Sequence, residues 1–90
     1  MKVTYSLVGY DKRTDFAVRF HELPDTVVPA AMEIAALSPE VAAHYHDWPL
    51  TDEMVHRIEP LAAVELETEQ LTWCLEPNAA AEGREAAAAE

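Results

Sequence analysis

The amino-acid sequence predicts an α+β fold, with an N-terminal β-hairpin, two to three helices and a C-terminal return strand. Two segments near the N-terminus alternate polar and apolar residues, which is the pattern of a half-buried strand. Three helix starts follow, each marked by a polar cap or a proline. A further alternating segment comes after them. This order predicts helices packed on one face of a small antiparallel sheet.

The first two strands form the predicted hairpin, joined by the polar segment 11–15. Its aspartates can bond their own backbone, as turn residues often do. The residues expected to face the core are Val3, Tyr5 and Leu7 in the first strand and Phe16, Val18 and Phe20 in the second.

Two helices are predicted in the middle of the chain. Asp25 or Thr26 should cap the first, which continues to about Leu37. Ser38 should cap a second helix of one or two turns, since a proline follows it at the first helical position, and this helix ends near His44.

A third helix and the return strand complete the predicted fold. Thr51 should cap this helix, and Pro60 should end its regular part near Ile58. The return strand is expected at residues 70–76. Residues 63–67 form either a weaker strand or an extended approach to it.

The domain organisation follows from composition. Residues 1–76 are expected to form one domain, and residues 77–90 a disordered tail, because that segment lacks aromatic and branched aliphatic residues. No run of about 20 apolar residues and no secretory signal is visible. Cys74 is the only cysteine, which excludes an internal disulfide. We therefore expect a cytoplasmic protein.

The net charge of −11 is the strongest functional signal in the chain. Residues 20–76 hold twelve acidic side chains and only one basic one, Arg57, whereas residues 1–19 are mildly basic. An acidic surface repels nucleic acid and anionic lipid and attracts cationic proteins. The charge thus predicts a basic protein partner and argues against nucleic-acid or membrane binding.

The predicted partner-binding surface lies in this acidic region. Glu65, Glu67 and Glu69 are two residues apart, so an extended chain would direct them to one side. A solvated strand face that discourages aggregation is the alternative. A surface that needs only solubility usually mixes both signs of charge, which favours a partner. The candidate partner-binding residues are Asp47, Asp52, Glu53, Glu59, Glu65 and Glu67.

Three histidines form an alternative candidate site for a metal ion or other ligand. In an extended segment His44 and His46 project to one side, so they could bind zinc or nickel together with His56. In a helix the first two would diverge by about 200°. The competing interpretation is that they are loop histidines beside packed aromatic residues.

No pattern in the chain predicts catalysis or a cofactor. Asp52 and His56 have the spacing of an oriented general base, but no nucleophile is linked to them by position. Cys74 lies between Trp73 and Leu75 on the return strand, where a packed side chain is expected. We therefore predict that the protein is not an enzyme.

The first predicted helix is unusually apolar. Between Val27 and Leu37 only Glu33 is charged. A helix that is apolar all round is either central to the fold or part of an interface. Burial is therefore one interpretation, and a homodimer or partner contact the other, for the residues not needed to cover a small sheet. These are Val28, Met32, Ala35 and Ala36.

Three motifs occur in order: Tyr10-Asp11-Lys12-x-Thr14, Glu22-Leu23-Pro24-Asp25, and Trp48-Pro49-Leu50-Thr51-Asp52-Glu53 before Glu59-Pro60. This order resembles a group of small uncharacterised bacterial domains, some of them similar to immunity or accessory proteins. The resemblance covers most of residues 3–76 and rests on turns and helix caps, so it implies a fold and no site residues. The alanine-rich tail departs from the pattern. An immunity or inhibitor role against a basic toxin or nuclease is the sharpest form of the predicted function.

Overall fold

A computed structural model describes residues 4–38 and 47–78, which form a four-stranded antiparallel sheet and two helices. This confirms the predicted α+β class. The strands are β1 (Tyr5–Asp11), β2 (Ala17–Glu22), β3 (Trp48–Pro49) and β4 (Leu71–Pro77), and the helices are α1 (Val28–Ile34) and α2 (Asp52–Ala62). The predicted helix after Ser38 lies outside the described residues.

The sheet has the strand order β2-β1-β4-β3, so the two long strands β1 and β4 are central. Leu7 of β1 is opposite Leu75 of β4, and Gly9 is opposite Trp73. Directly paired residues share a sheet face, so these side chains lie together on the core side.

The core lies between this sheet face and the two helices. Its buried members come from every described element except β2 and β3, and from the connecting segments. They are Leu7, Leu23, Ala31, Met32, Ala35, Leu37, Leu50, Val55, Ile58, Leu66, Trp73 and Leu75.

The expected orientation of β2 is wrong. The register pairs His21 with Leu7 and Arg19 with Gly9, which places these polar residues on the core side of the sheet. Phe16 and Val18 are instead 67% and 40% exposed. Phe20 is opposite Val8 on the other face.

The side chain of Trp73 explains this orientation. Its ring lies over Gly9, whose missing side chain leaves room for it, and it stacks against His21 with ring centroids 5.7 Å apart. The core side of β2 is therefore packed against an aromatic ring that can accept a flat polar neighbour.

Helix α1 is shorter than predicted at both ends. Neither Asp25 nor Thr26 caps it, because a turn closed by Val27 N–H and the Pro24 carbonyl comes first, and Val27 is the N-cap without a side-chain bond. Pro29 falls at the start of the helix, as expected.

The C-terminus of α1 is a Schellman motif, which ends the helix before Leu37. Ala36 adopts a left-handed φ of 57°, and the N–H of Leu37 donates to the Met32 carbonyl. This hydrogen bond is the one that defines the motif.

Helix α2 begins as predicted and ends later than predicted. The Thr51 hydroxyl accepts a hydrogen bond of 3.2 Å from Met54 N–H, as an N-cap should. The helix continues through Pro60 to Ala62 instead of ending near Ile58. Proline has no N–H to donate to the carbonyl of His56, one turn earlier, and both residues are exposed to solvent.

The remaining boundaries differ in detail. Residues 63–67 form no strand, and β3 was not predicted. Strand β4 ends at Pro77, and the Asn78 side chain hydrogen-bonds Ser6, Thr4 and Glu22. The folded unit therefore includes Asn78, while the rest of the predicted tail lies outside the described residues.

Candidate protein-binding site

An apolar groove lies where the end of α1, strand β3 and the start of α2 meet. It has a volume of about 560 Å³, and its lining residues are Ala35, Ala36, Asp47, Trp48, Pro49 and Met54. Of these described lining residues, all but Asp47 are apolar. Strand β3 is fixed at the edge of the sheet by its pairing with β4, in which Trp48 lies opposite Leu75.

The groove has a defined shape because Trp48 is held in place. Its indole N–H donates a hydrogen bond of 2.9 Å to the Ala35 carbonyl at the end of α1. Pro49 and Ala36 are exposed, and Trp48 and Met54 are half-buried. The groove is thus a solvent-accessible apolar surface whose Trp48 wall is held by a hydrogen bond to the end of α1.

Carboxylates stand beside this apolar surface. Asp47 is exposed and lines the groove itself. Asp52 and Glu53 are exposed in the first turn of α2, directly before Met54. Arg57, one turn further along α2, is the only basic residue between residues 20 and 76. Of the six predicted partner-binding residues, Asp47 therefore lines the groove, and Asp52 and Glu53 lie in the turn of α2 that precedes the lining residue Met54.

Asp52 and Glu53 also have a structural role. Acidic side chains in the first turn of a helix interact favourably with its macrodipole, typically by about 0.3–1 kcal/mol each. This interaction with the helix dipole accounts for their position without any partner, so a binding experiment has to separate it from a role in binding.

The other three predicted residues lie elsewhere, and two of them hold the chain together. The Glu59 carboxylate accepts a hydrogen bond of 2.6 Å from Leu66 N–H. The Glu67 carboxylate accepts from the N–H groups of Gln70 and Leu71, 2.9 and 3.1 Å away. Glu65 is exposed in the same loop.

The acidic loop lies next to the basic hairpin turn. Lys12 Nζ donates a hydrogen bond of 2.7 Å to the Thr68 carbonyl, and Lys12 N–H donates to the Gln70 carbonyl. Arg13 and Glu69 line the same small cleft. The negative charge of the loop is therefore partly offset by these two basic side chains.

The histidine prediction is only partly covered by the structure. His44 and His46 lie outside the described residues, and His56 is exposed on α2. Among residues 4–38 and 47–78 no three His, Cys, Asp or Glu side chains are grouped to hold a metal ion. The metal site stays a prediction.

Burial accounts for most of the apolar residues of the predicted first helix that suggested a homodimer. Met32 and Ala35 are buried in the core, and Val28 is half-buried. Only Ala36 of this group is exposed, and it lines the groove. The homodimer stays a prediction without support from this helix.

Sequence reasoning missed the environment of Glu76. This carboxylate is fully buried on the sheet face opposite the helices and accepts a hydrogen bond from the Tyr10 hydroxyl. Ser6, its partner on β1, is buried beside it. The alternation of Trp73 and Leu75 with Cys74 and Glu76 was the available signal. Glu76 contributes to the net charge but not to the exposed acidic surface.

Comparison with protein-family models, with curated proteins and with solved structures finds no match for this chain. The resemblance to small bacterial domains therefore stays a prediction. Neither described helix has the length and apolar character that crossing a bilayer requires.

Proposed function

We propose that this protein is a cytoplasmic, non-enzymatic binding module for a cationic protein, and that the partner docks at the groove between α1, β3 and α2. The observation that carries the proposal is an apolar groove lined by the exposed Asp47 and by Met54, whose helix begins with the exposed carboxylates of Asp52 and Glu53. Rim charges steer a partner of opposite sign, and apolar contacts hold it.

The distribution of charge supports the groove over the acidic loop. Glu67 and Glu59 accept backbone hydrogen bonds, and Lys12 and Arg13 stand beside the loop. The groove carboxylates have Arg57 as their only basic neighbour on α2. We therefore place the partner at the groove, where negative charge adjoins an apolar surface.

The test compares two variants with the same net charge. In the groove variant Asp47→Asn, Asp52→Asn and Glu53→Gln are combined. The loop variant combines Glu65→Gln and Glu69→Gln in the acidic loop with Asp15→Asn in the neighbouring hairpin turn, so that both variants lose three negative charges. The probe is a fluorescent lysine-rich peptide, and its affinity is measured by anisotropy at low and high salt. We expect the groove variant to weaken binding roughly tenfold, the loop variant to weaken it much less, and salt to weaken binding to the parent protein.

Equal loss of affinity in both variants would show diffuse attraction to net charge and would contradict the proposed site. Affinity independent of salt would contradict an electrostatic partner altogether. Thermal melts of both variants check that losing the helix-dipole interaction of Asp52 and Glu53 has not unfolded α2.

An immunity or inhibitor role against a basic toxin or nuclease is the sharpest form of this proposal. It is supported by the acidic surface and by the small size of the domain, which leaves little room for an enclosed active site. Mixing the protein with a basic nuclease and measuring nuclease activity tests this form, and unchanged activity at saturating protein would reject it for that nuclease.

A further inference from the structure

We infer that the segment of the partner that enters the groove has an apolar side chain flanked by lysine or arginine residues. This inference rests on the proposed function and adds the chemistry of the docking segment. An acidic surface alone would favour any positively charged partner. The apolar lining of the groove additionally favours a partner with an apolar side chain at that point.

The lining residues determine what the groove can hold. Ala35 and Ala36 have small side chains that leave space, while Trp48 and Pro49 provide flat apolar walls and Met54 an adaptable one. The volume of about 560 Å³ lies within the usual range of about 300–1,000 Å³ for ligand sites. An aliphatic or aromatic side chain fits such a surface, whereas a lysine ammonium would lose its hydration there.

The position of the carboxylates determines where the partner's charges lie. Asp47 stands within the groove, and Asp52 and Glu53 lie at the start of α2 next to Met54. Basic residues on both sides of an apolar anchor could reach them while the anchor occupies the apolar lining. The complementary segment is therefore basic, apolar and basic in order.

The experiment uses two short peptides of equal charge. One has a central leucine between pairs of lysine and arginine residues, and the other has serine in place of leucine. Because burying a leucine side chain is favourable, we expect the leucine peptide to bind roughly tenfold tighter. Met54→Gln should remove most of this difference and leave the affinity for the serine peptide nearly unchanged.

The two tryptophans report on the binding site without any mutation. Trp48 lines the groove, whereas Trp73 is buried and its indole N–H is bonded to the Glu67 carbonyl. In ¹⁵N–¹H spectra the leucine peptide should shift the indole resonance of Trp48 and leave that of Trp73 in place.

The outcomes separate the two proposals. Equal affinity for both peptides, still dependent on the groove carboxylates, would overturn this inference and leave the proposed function intact. Tighter binding of the leucine peptide without a shift at Trp48 would overturn the groove as its location. Failure of both peptides to bind would overturn both proposals.

Discussion

The carboxylate of Glu59 on α2 accepts a hydrogen bond of 2.6 Å from the main-chain N–H of Leu66, seven residues further along the chain. Leu66 is buried, so this bond fixes the loop that returns from α2 to β4 over the core. A residue that contributes to the acidic composition is therefore part of the scaffold.

We expect Glu59→Ala to destabilise the protein by about 1–3 kcal/mol, because a buried N–H loses its acceptor. Glu65→Ala removes the same charge from an exposed position in the loop and should change stability by less than about 0.5 kcal/mol. Urea denaturation of both variants measures the difference. Equal free energies of unfolding for the two variants would show that the hydrogen bond from Leu66 N–H to Glu59 does not stabilise the protein.

Gly9→Ala should destabilise the protein by about 1–3 kcal/mol, since a Cβ atom would lie 3.0 Å from Cη2 of the Trp73 ring and 3.2 Å from Arg19 Cβ. The buried ring would have to move, so the near-ultraviolet circular dichroism of tryptophan should change as well. Thr72→Ala, at an exposed position of the same sheet, is the control and should leave the spectrum unaltered.

The left-handed Ala36 predicts a stabilising substitution. Ala36→Gly should raise the free energy of unfolding by about 0.5–1 kcal/mol, because glycine adopts a φ of 57° without the steric cost that alanine has. The same change at Ala30, inside α1, should instead lower it by about 1 kcal/mol. If both substitutions shift the melting temperature in one direction, the C-terminal geometry of α1 is wrong.

Tyr10→Phe should destabilise the protein by about 1–3 kcal/mol, because it removes a hydrogen-bond donor from the buried Glu76 carboxylate. Tyr5→Phe is a matched control on the same strand, since the Tyr5 hydroxyl makes no hydrogen bond within the described residues. Chemical denaturation compares the two. A Tyr10 variant as stable as the Tyr5 variant would contradict a stabilising contact to Glu76.

Local chemistry made part of the fold predictable. Thr51 caps α2 because a threonine hydroxyl before the first helical residue can accept a hydrogen bond from a free N–H group of the first turn. The alternation around Trp73 likewise predicted β4 to within one residue at each end. These features depend on residues that are close together in the sequence, so they can be predicted from the sequence alone.

The errors in β2, the acidic loop and the groove depend on distant partners. Alternation in β2 distinguished the two faces of the strand, but which face meets the core depends on Trp73 of another strand. The sequence shows that Glu59 and Glu67 are acidic but not which N–H groups donate to them. The groove was not predicted because its lining residues, such as Ala36 and Met54, are distant in sequence.

The pairing of β1 with β4 has a consequence for synthesis of the chain. Tyr5 lies opposite Pro77 and Asp11 opposite Leu71, so the first strand finds its central partner only among the last residues of the sheet. A nascent chain that has not yet emerged as far as residue 77 has only the β1–β2 hairpin of the long strands, and a two-stranded hairpin is marginally stable in water. The sheet therefore forms only once β4 has been made, and a product truncated before β4 would lack the central partner of β1 and expose the core to proteases.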